Sequence, residues 1–499
     1  MTAEPAPHTL PPASLPDRLR RAVLAPLRAF RLAYLPLLMV YFAYGALGLT
    51  AIADSFWVKK ELTLSAAGLA QLGVWLTLPW TIKMVFGELV DTVPILGSRR
   101  RIYVFIGAGL VATSLLILAG TAAKLLTFAR PETLYVAASL LTVVGVVMQD
   151  VVADAMSTEV VPRSLPDGSP RPKADVDRDL GMVQVLGRLA LSLGIFLTAG
   201  IAGLLAQALP YSTVFLIGLV IPLISVTGAL TVKLETAESR PTDWRILGGG
   251  IVFGTTVAAI GLSGLAFKEE VVFVISMAVV VAMLVRVTAS IDHATRMKIV
   301  FAAILIFAFR ATPGVGPGFQ WFAIDRLGFD EAFYGTLGQI GAAIALVATW
   351  LFADAITRQP VARVLLWLTV LGSVLSVPGL LLAFDVHLWT ERVLGFGART
   401  IALIDTAATS PFAQLGMIPL LTLVAVYAPR DHRAIWFALM GSLMNLALVA
   451  GQLGTKYLNE IYVVDRGDYT NLPALVVAAA AIGLALPLVA IFALGRRVR

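Results

Sequence analysis

Asp150 and Asp154 stand four residues apart in an apolar stretch of the chain, with Gln149 beside them. That spacing projects both carboxylates from one face of a helix. Two carboxylates held together away from water disfavour double ionisation, so the pair is suited to taking and releasing a proton. Arg188, in the next apolar stretch, follows Gln184 by four residues on the same helical face. Its guanidinium has two readings: a structural ion pair with Asp150 or Asp154, or a site for an anionic ligand that also sets the charge of the carboxylates. Lys83 sits inside another apolar stretch and also has two readings. Its stem snorkels to the membrane surface, or its ammonium enters a cavity to pair with Asp150 or Asp154 or to hold an anionic group. Arg310 ends an apolar run and precedes Pro313, Gly314, Gly316, Pro317 and Gly318, then Phe319-Gln320-Trp321-Phe322. An uninterrupted helix is incompatible with that composition. Broken backbone inside a membrane belongs where it is buried in protein or lines a cavity. That places Arg310 at a cavity, with Gln320 and its aromatic neighbours forming either a platform for a flat heterocycle or an interfacial belt. Asp405 and Asn445 are weaker candidates of the same kind.

These charges are informative because of where they lie. Hydrophobic residues fill 58% of 499 positions and charged residues only 14%, which is the balance of an integral membrane protein. A lysine or arginine at the centre of a membrane helix costs roughly 2.5–3.5 kcal/mol, so such residues face a protein interior or a wet cavity. Runs of about twenty apolar residues, the length that crosses the hydrocarbon core, recur about fourteen times. They centre on 32–52, 64–89, 102–122, 133–160, 180–208, 211–232, 246–266, 271–290, 298–322, 331–355, 362–383, 400–427, 433–458 and 473–494. An even number puts both termini on one side, and the excess of Lys and Arg in the tail and alternate loops makes that side cytoplasmic.

The expected organisation has five parts. Residues 1–31 are a cytoplasmic tail, Pro- and Ala-rich and disordered at first, then a basic amphipathic segment from Asp17 to Arg31. Residues 32–234 form a six-helix half, 235–297 a linker with an inserted two-helix hairpin, 298–494 a second six-helix half, and 495–499 a basic cytoplasmic end. The hairpin spans, joined only by Phe267-Lys-Glu-Glu270, carry almost no internal charge and are expected to face lipid or a dimer partner. A faint repeat relates the halves: Asp91 precedes Arg99, Arg100 and Arg101 after the second span, and Asp354 precedes Arg358 and Arg363 at the matching place. Repeated six-helix halves are a plan of secondary transporters, with the ligand site near the midplane between them. A carboxylate at a helix end facing the next loop's arginines has two readings: a gate element that locks one conformation, or loop charge set by positive-inside topology.

Other chemistries find little support. The chain has no cysteine, which excludes disulfides, thiolate metal sites and cysteine nucleophiles. His8, His293, His387 and His432 fall in the tail or loops, with no zinc-protease pattern and no phosphate-binding Gly-Lys-Ser/Thr loop. No enzyme, cofactor, metal or nucleic-acid partner is expected; the net charge of +7 is spread over short loops as membrane topology demands.

Four stretches then carry a resemblance. Gly87-x-x-x-Asp91 with its following basic cluster looks like a stretched form of the loop motif of the major facilitator superfamily. More specifically, Pro79 to Tyr103, Gln149-Asp150-Val-Val-Ala-Asp154-Ala155, Phe309-Arg310-Ala-Thr-Pro313 to Phe329, and Pro419 to Asn445 resemble the folate-biopterin transporter family. Met84 and Phe86 stand where that family would have Pro and Tyr. The resemblance implies an all-α polytopic protein of the major facilitator type and a secondary carrier in the bacterial cytoplasmic membrane. It implies a folate, a pterin or a related anionic heterocycle as the small-molecule substrate, with protons as the coupling ion by analogy. A carrier of another solute, and a non-transporting assembly factor or sensor of the same fold, are the alternatives.

Overall fold

A computed structural model describes residues 30–165, 167–231, 242–289, 291–357, 361–427 and 433–497. The expectations for the tail before residue 30, and for Arg358, lie outside these residues, as does the side chain of Asp354. Among them every regular element is a helix; three isolated bridges, such as Ile95 to Ser98, only close tight turns.

The first half comprises α1 (Leu35–Ala46), α2 (Gly48–Glu61), α3 (Ala66–Thr81), α4 (Lys83–Thr92), α5 (Arg101–Ala122), α6 (Pro131–Glu159), α7 (Lys173–Ala208), α8 (Tyr211–Ile217) and α9 (Val220–Thr231). The inserted hairpin is α10 (Trp244–Leu262) and α11 (Lys268–Val287). The second half follows as α12 (His293–Arg310), α13 (Gly318–Asp325), α14 (Glu331–Thr357), α15 (Val361–Leu375), α16 (Val377–Ala383) and α17 (Val386–Leu394). It closes with α18 (Ala398–Leu415), α19 (Met417–Val426), α20 (Arg433–Ile461) and α21 (Leu472–Leu494). The end of the bundle carrying Arg31 and Arg497 is the near end; the opposite one is the far end.

Among the described residues, 12 helical segments are long and apolar enough to cross a membrane. The expected count of about fourteen included 298–322 and 400–427, and both are interrupted. Pro313 to Pro317 separate α12 from α13, and Gly416 separates α18 from α19 shortly before Pro419. The first break was expected from the Gly and Pro run. Shorter interruptions split other spans, and one matters for chemistry: α3 contains Pro79 and ends at Thr81, Ile82 leaves the helical region at φ −108° and ψ 22°, and α4 restarts at Lys83. Pro79 itself loosens the turn before it, having no N–H to donate to that turn, and the helix breaks three residues later.

Glycines let the helices cross closely. A Cβ on Gly194 of α7 would lie 2.3 Å from the Phe42 carbonyl oxygen of α1, which fixes that crossing inside the first half. A Cβ on Gly203 would lie 2.5 Å from the Glu331 carbonyl oxygen and 2.7 Å from Gly335 Cα, so α7 and α14 touch backbone to backbone across the two halves. The other seam joins α3 to α20, where Val74 and Leu78 pack with Val449 and Leu453. Each half also has its own core: Tyr41, Tyr103, Val151 and Met156 in the first, Leu305, Leu365, Trp436 and Met440 in the second.

The structure corrects the reading of Trp321 and Phe322. Neither is a cavity platform or a lipid belt: they are 1% and 5% exposed and lie in a far-end core with Leu472 and Val476 of α21. The chain turns after the Pro and Gly break, so α13 is driven into the bundle and its aromatic face becomes core. The hairpin is also less simple than a lipid-facing insertion, because its turn is docked by Glu269, only 2% exposed.

Candidate functional site

The kink at Ile82 points the start of α4 at α6. The Lys83 ammonium lies 2.5 Å from Asp150 Oδ2 and 2.6 Å from Asp154 Oδ2, bridging both carboxylates. Helical spacing puts the two acids on one face, as expected, and the break after Pro79 supplies the cation opposite them. Tyr41 of α1 donates its hydroxyl to Asp154 Oδ1 at 2.6 Å. The cluster is graded in exposure: Asp150 12%, Lys83 33% and Asp154 48% by side chain. Asp150 is thus the inner member and Asp154 the one that solvent reaches.

Arg188 does not supply the ion pair. Its side chain is exposed on α7, within electrostatic range of Asp150 and Tyr41, and among the described residues it forms no hydrogen bond or salt bridge. Gln184, one turn earlier, donates to Ser157 Oγ of α6 at 2.7 Å. Gln149 is 7% exposed; it donates to the Val104 carbonyl at 3.1 Å and accepts from Ser225 at 3.3 Å. It therefore ties α6 to α5 and α9, and it lines a small cavity together with Asp150, Tyr41 and Tyr44.

Sequence reasoning missed the aromatic pair beside this cluster. Tyr44 of α1 and Trp80 of α3 stack at 5.9 Å between centroids with 23° between planes, and Tyr44 is within electrostatic range of Asp150, Lys83 and Arg188. Both rings are half-buried. The signal available was Trp80 next to Pro79, two residues before the break. Across the seam, Asn445 Nδ2 donates to the Trp80 carbonyl at 3.0 Å, so α20 of the second half closes on the same place. Arg310 ends α12 with its Nε donating to the Met444 carbonyl at 3.2 Å and its other nitrogen against the Met417 sulfur. Among the described residues no carboxylate pairs with it. Asp405 lies on α18, its Oδ1 facing Gly379.

The near-end cluster has Arg100 at its centre. Arg100, 6% exposed, donates to Asp91 at 2.8 Å, to Glu159 through two nitrogens and to the Val90 carbonyl at 3.0 Å. This ties α4, α5 and α6 together. Arg101 Nε donates to the Ala229 carbonyl at 3.0 Å; Arg99 lies in the same corner. Gly87 faces Val151 of α6 with room for a methyl group, since a Cβ on it would lie 4.0 Å from that side chain.

Among the described residues, the far end is where charged side chains cross between halves. Lys59 pairs with Asp325, which also accepts from Tyr469. Lys60 pairs with Glu331 at 3.1 Å, and Tyr211 donates to the same carboxylate at 2.7 Å. Arg466 donates to the carbonyls of Lys59, Leu64 and Val58 at 2.8–3.2 Å and stacks on Trp321 at 4.1 Å. Gln320 donates to Ser55 at 3.0 Å, so it belongs to this seal. Among the described residues the far end is tied between the halves, and Asp154 is the half-exposed member of the polar cluster.

The BT1 family model matches residues 45–498. The chain is 27% identical over 453 residues to a folate-biopterin transporter of Synechocystis sp., covering 89% of this chain and 78% of that one. It is 24% identical over 475 residues to probable folate-biopterin transporter 4 of Arabidopsis thaliana, covering 89% and 92%. Among solved structures, a POT family transporter in complex with thioalcohol conjugated peptide superposes with a TM-score of 0.65 at 14% identity over 94% of this chain and 96% of that one. The peptide transporter POT in complex with sulfate gives 0.63 at 15% identity, with 94% of each chain covered. At such identities the solved structures speak for the fold alone.

Proposed function

The chain belongs to the BT1 family and has the major facilitator fold of a membrane transporter, and from that premise we propose that it carries a folate or pterin-like anionic heterocycle by proton coupling. In this reading both termini lie in the cytoplasm of a bacterium, and the near end is the open one. The observation that carries it is Lys83 held between Asp150 and Asp154 at the mouth of a half-exposed niche. The names of the relatives support the heterocycle.

With both carboxylates ionised, Lys83 is fully engaged and offers nothing to an anion. Protonating Asp154, the member reached by solvent, removes one of its two partners and frees the ammonium for the anionic end of a substrate. Arg188 of α7 and Arg310 of α12 add positive charge, one from each half. The Tyr44 and Trp80 pair offers a flat aromatic face for the ring. Proton and anion then enter together without a net buried charge, which a low-dielectric cavity requires. Asp91, Arg100 and Glu159 brace the near end of the first half in this scheme, with Gly87 at the helix contact behind them.

Uptake of labelled folate and of an unconjugated pterin into liposomes, with and without an inward proton gradient, tests the reading. Asp154→Asn is expected to abolish gradient-driven accumulation, a loss of at least about tenfold, while the protein still inserts. Undiminished pH-dependent uptake by that variant would exclude the role of Asp154. Absence of uptake of both compounds by correctly folded protein would exclude the substrate class.

A further inference from the structure

The two arms of the inserted hairpin belong to different halves. In α10, a Cβ on Gly250 would lie 2.3 Å from Val85 and one on Gly261 3.1 Å from the Trp75 ring, and the Asp243 N–H just before it donates to Glu88 at 2.8 Å. All three neighbours are in α3 and α4 of the first half. In α11, Val280 lies within the second-half core, and Phe273, Met277 and Leu284 pack against it. The turn between the arms lies over the far-end seam of α3 with α20.

At that turn Glu269 of α11 is buried against both sides. Its Oε1 accepts from Gln71 Nε2 at 2.7 Å and from Trp75 Nε1 at 3.0 Å, both in the first half. Its Oε2 lies 3.6 Å from the Lys456 ammonium of the second half. Among the described residues the next one, Glu270, bonds within the second half, to Lys456 at 3.0 Å and to Tyr457 at 2.5 Å. A buried carboxylate left without donors is costly, so Glu269 holds Gln71 and Trp75 in place as long as it stays in the seam. Opening the far end means parting α3 from α20, and α11 is packed on the α20 side. The clasp must therefore break in each cycle.

We infer that the inserted hairpin is a latch: α11 moves with the second half, and Glu269 grips Gln71 and Trp75 when the far end is closed and releases them when it opens. The latch rests on the two-half fold and is independent of the substrate. Because the chain has no cysteine, Leu125→Cys and Val463→Cys, at far-end sites 77% and 56% exposed in opposite halves, give a clean spin-label pair. Distances are read in liposomes on three backgrounds. Gln71→Ala with Trp75→Phe removes both first-half donors and is expected to raise the ratio of far-open to far-closed populations about tenfold. Glu269→Gln, which keeps the shape and one acceptor oxygen, shifts it in the same direction by less. Glu270→Gln, which removes bonds internal to the second half, leaves it within about twofold. An unchanged distribution in both of the first two backgrounds overturns the latch, and so does an equal shift from Glu270→Gln.

Discussion

The near and far ends of the bundle use the same residue types for opposite purposes. At the near end, Arg100 gathers Asp91 and Glu159 within one half. At the far end, Lys59 with Asp325, Lys60 with Glu331, and Arg466 with three carbonyls all join residues of different halves. A network inside one half stiffens a body that moves as a unit. A network between halves chooses which way the body leans. Charge at a helix end therefore carries no single meaning, and the partner's half decides whether it acts on stability or on conformation.

The largest expected effect that tests this contrast is at Arg100. Arg100→Ala removes a buried guanidinium and leaves Asp91, 43% exposed, and Glu159, 25% exposed, without their cation, at a cost of about 2–3 kcal/mol once solvent screening is counted. A lower Tm with an unchanged far-end distance is the expected result; a shifted distance would break the comparison. Arg466→Ala should do the reverse. It removes three charge-assisted bonds across the seam, worth about 2 kcal/mol after solvent compensation, along with a stack on Trp321 inside the second half, so the far-open population should rise sharply while the Tm changes little. The smallest effect is at Asp325. Burial pushes its carboxyl up, but the Lys59 and Tyr469 hydrogen bonds outweigh that and hold it below the usual range. Its contribution is thus fully present above the ordinary carboxylate pKa of about 4 and is lost as pH falls through the lower folded value. Far-end closure should persist on acidification to that range and weaken only below it; loss of closure at pH 6 would point to another group.

Much of the architecture was legible in the chain. Apolar runs separated by charged loops marked out an all-helical membrane protein of many spans, because a bilayer imposes length and polarity on every span. The identity of the cation facing Asp150 and Asp154 was open between Arg188 and Lys83. Periodicity alone places side chains around a straight helix, and Lys83 is aimed by the kink that follows Pro79. Trp321 and Phe322 were misjudged because the direction of a chain after a break depends on what it packs against. The far-end seal was invisible for a simpler reason: Lys59 and Asp325 are 266 positions apart, and each reads alone as an ordinary loop charge. Glu269 was hidden in the same way, as one of two acids in a four-residue turn.

The interruption at Ile82 also separates mechanical duties. While the far end is closed, the α3 segment is packed on the second half, with Gly73 so close to Gln452 that a Cβ there would meet its amide oxygen at 2.8 Å. The α4 segment is committed to its own half, with Val90 in one core with Val152 and Lys83 on the α6 carboxylates. A straight rod would transmit any tilt at its upper end directly to the ammonium and pull it off the acids by leverage. A jointed one lets the upper segment roll while the lower keeps its grip, so the charge balance of the niche is insulated from the motion that exposes it.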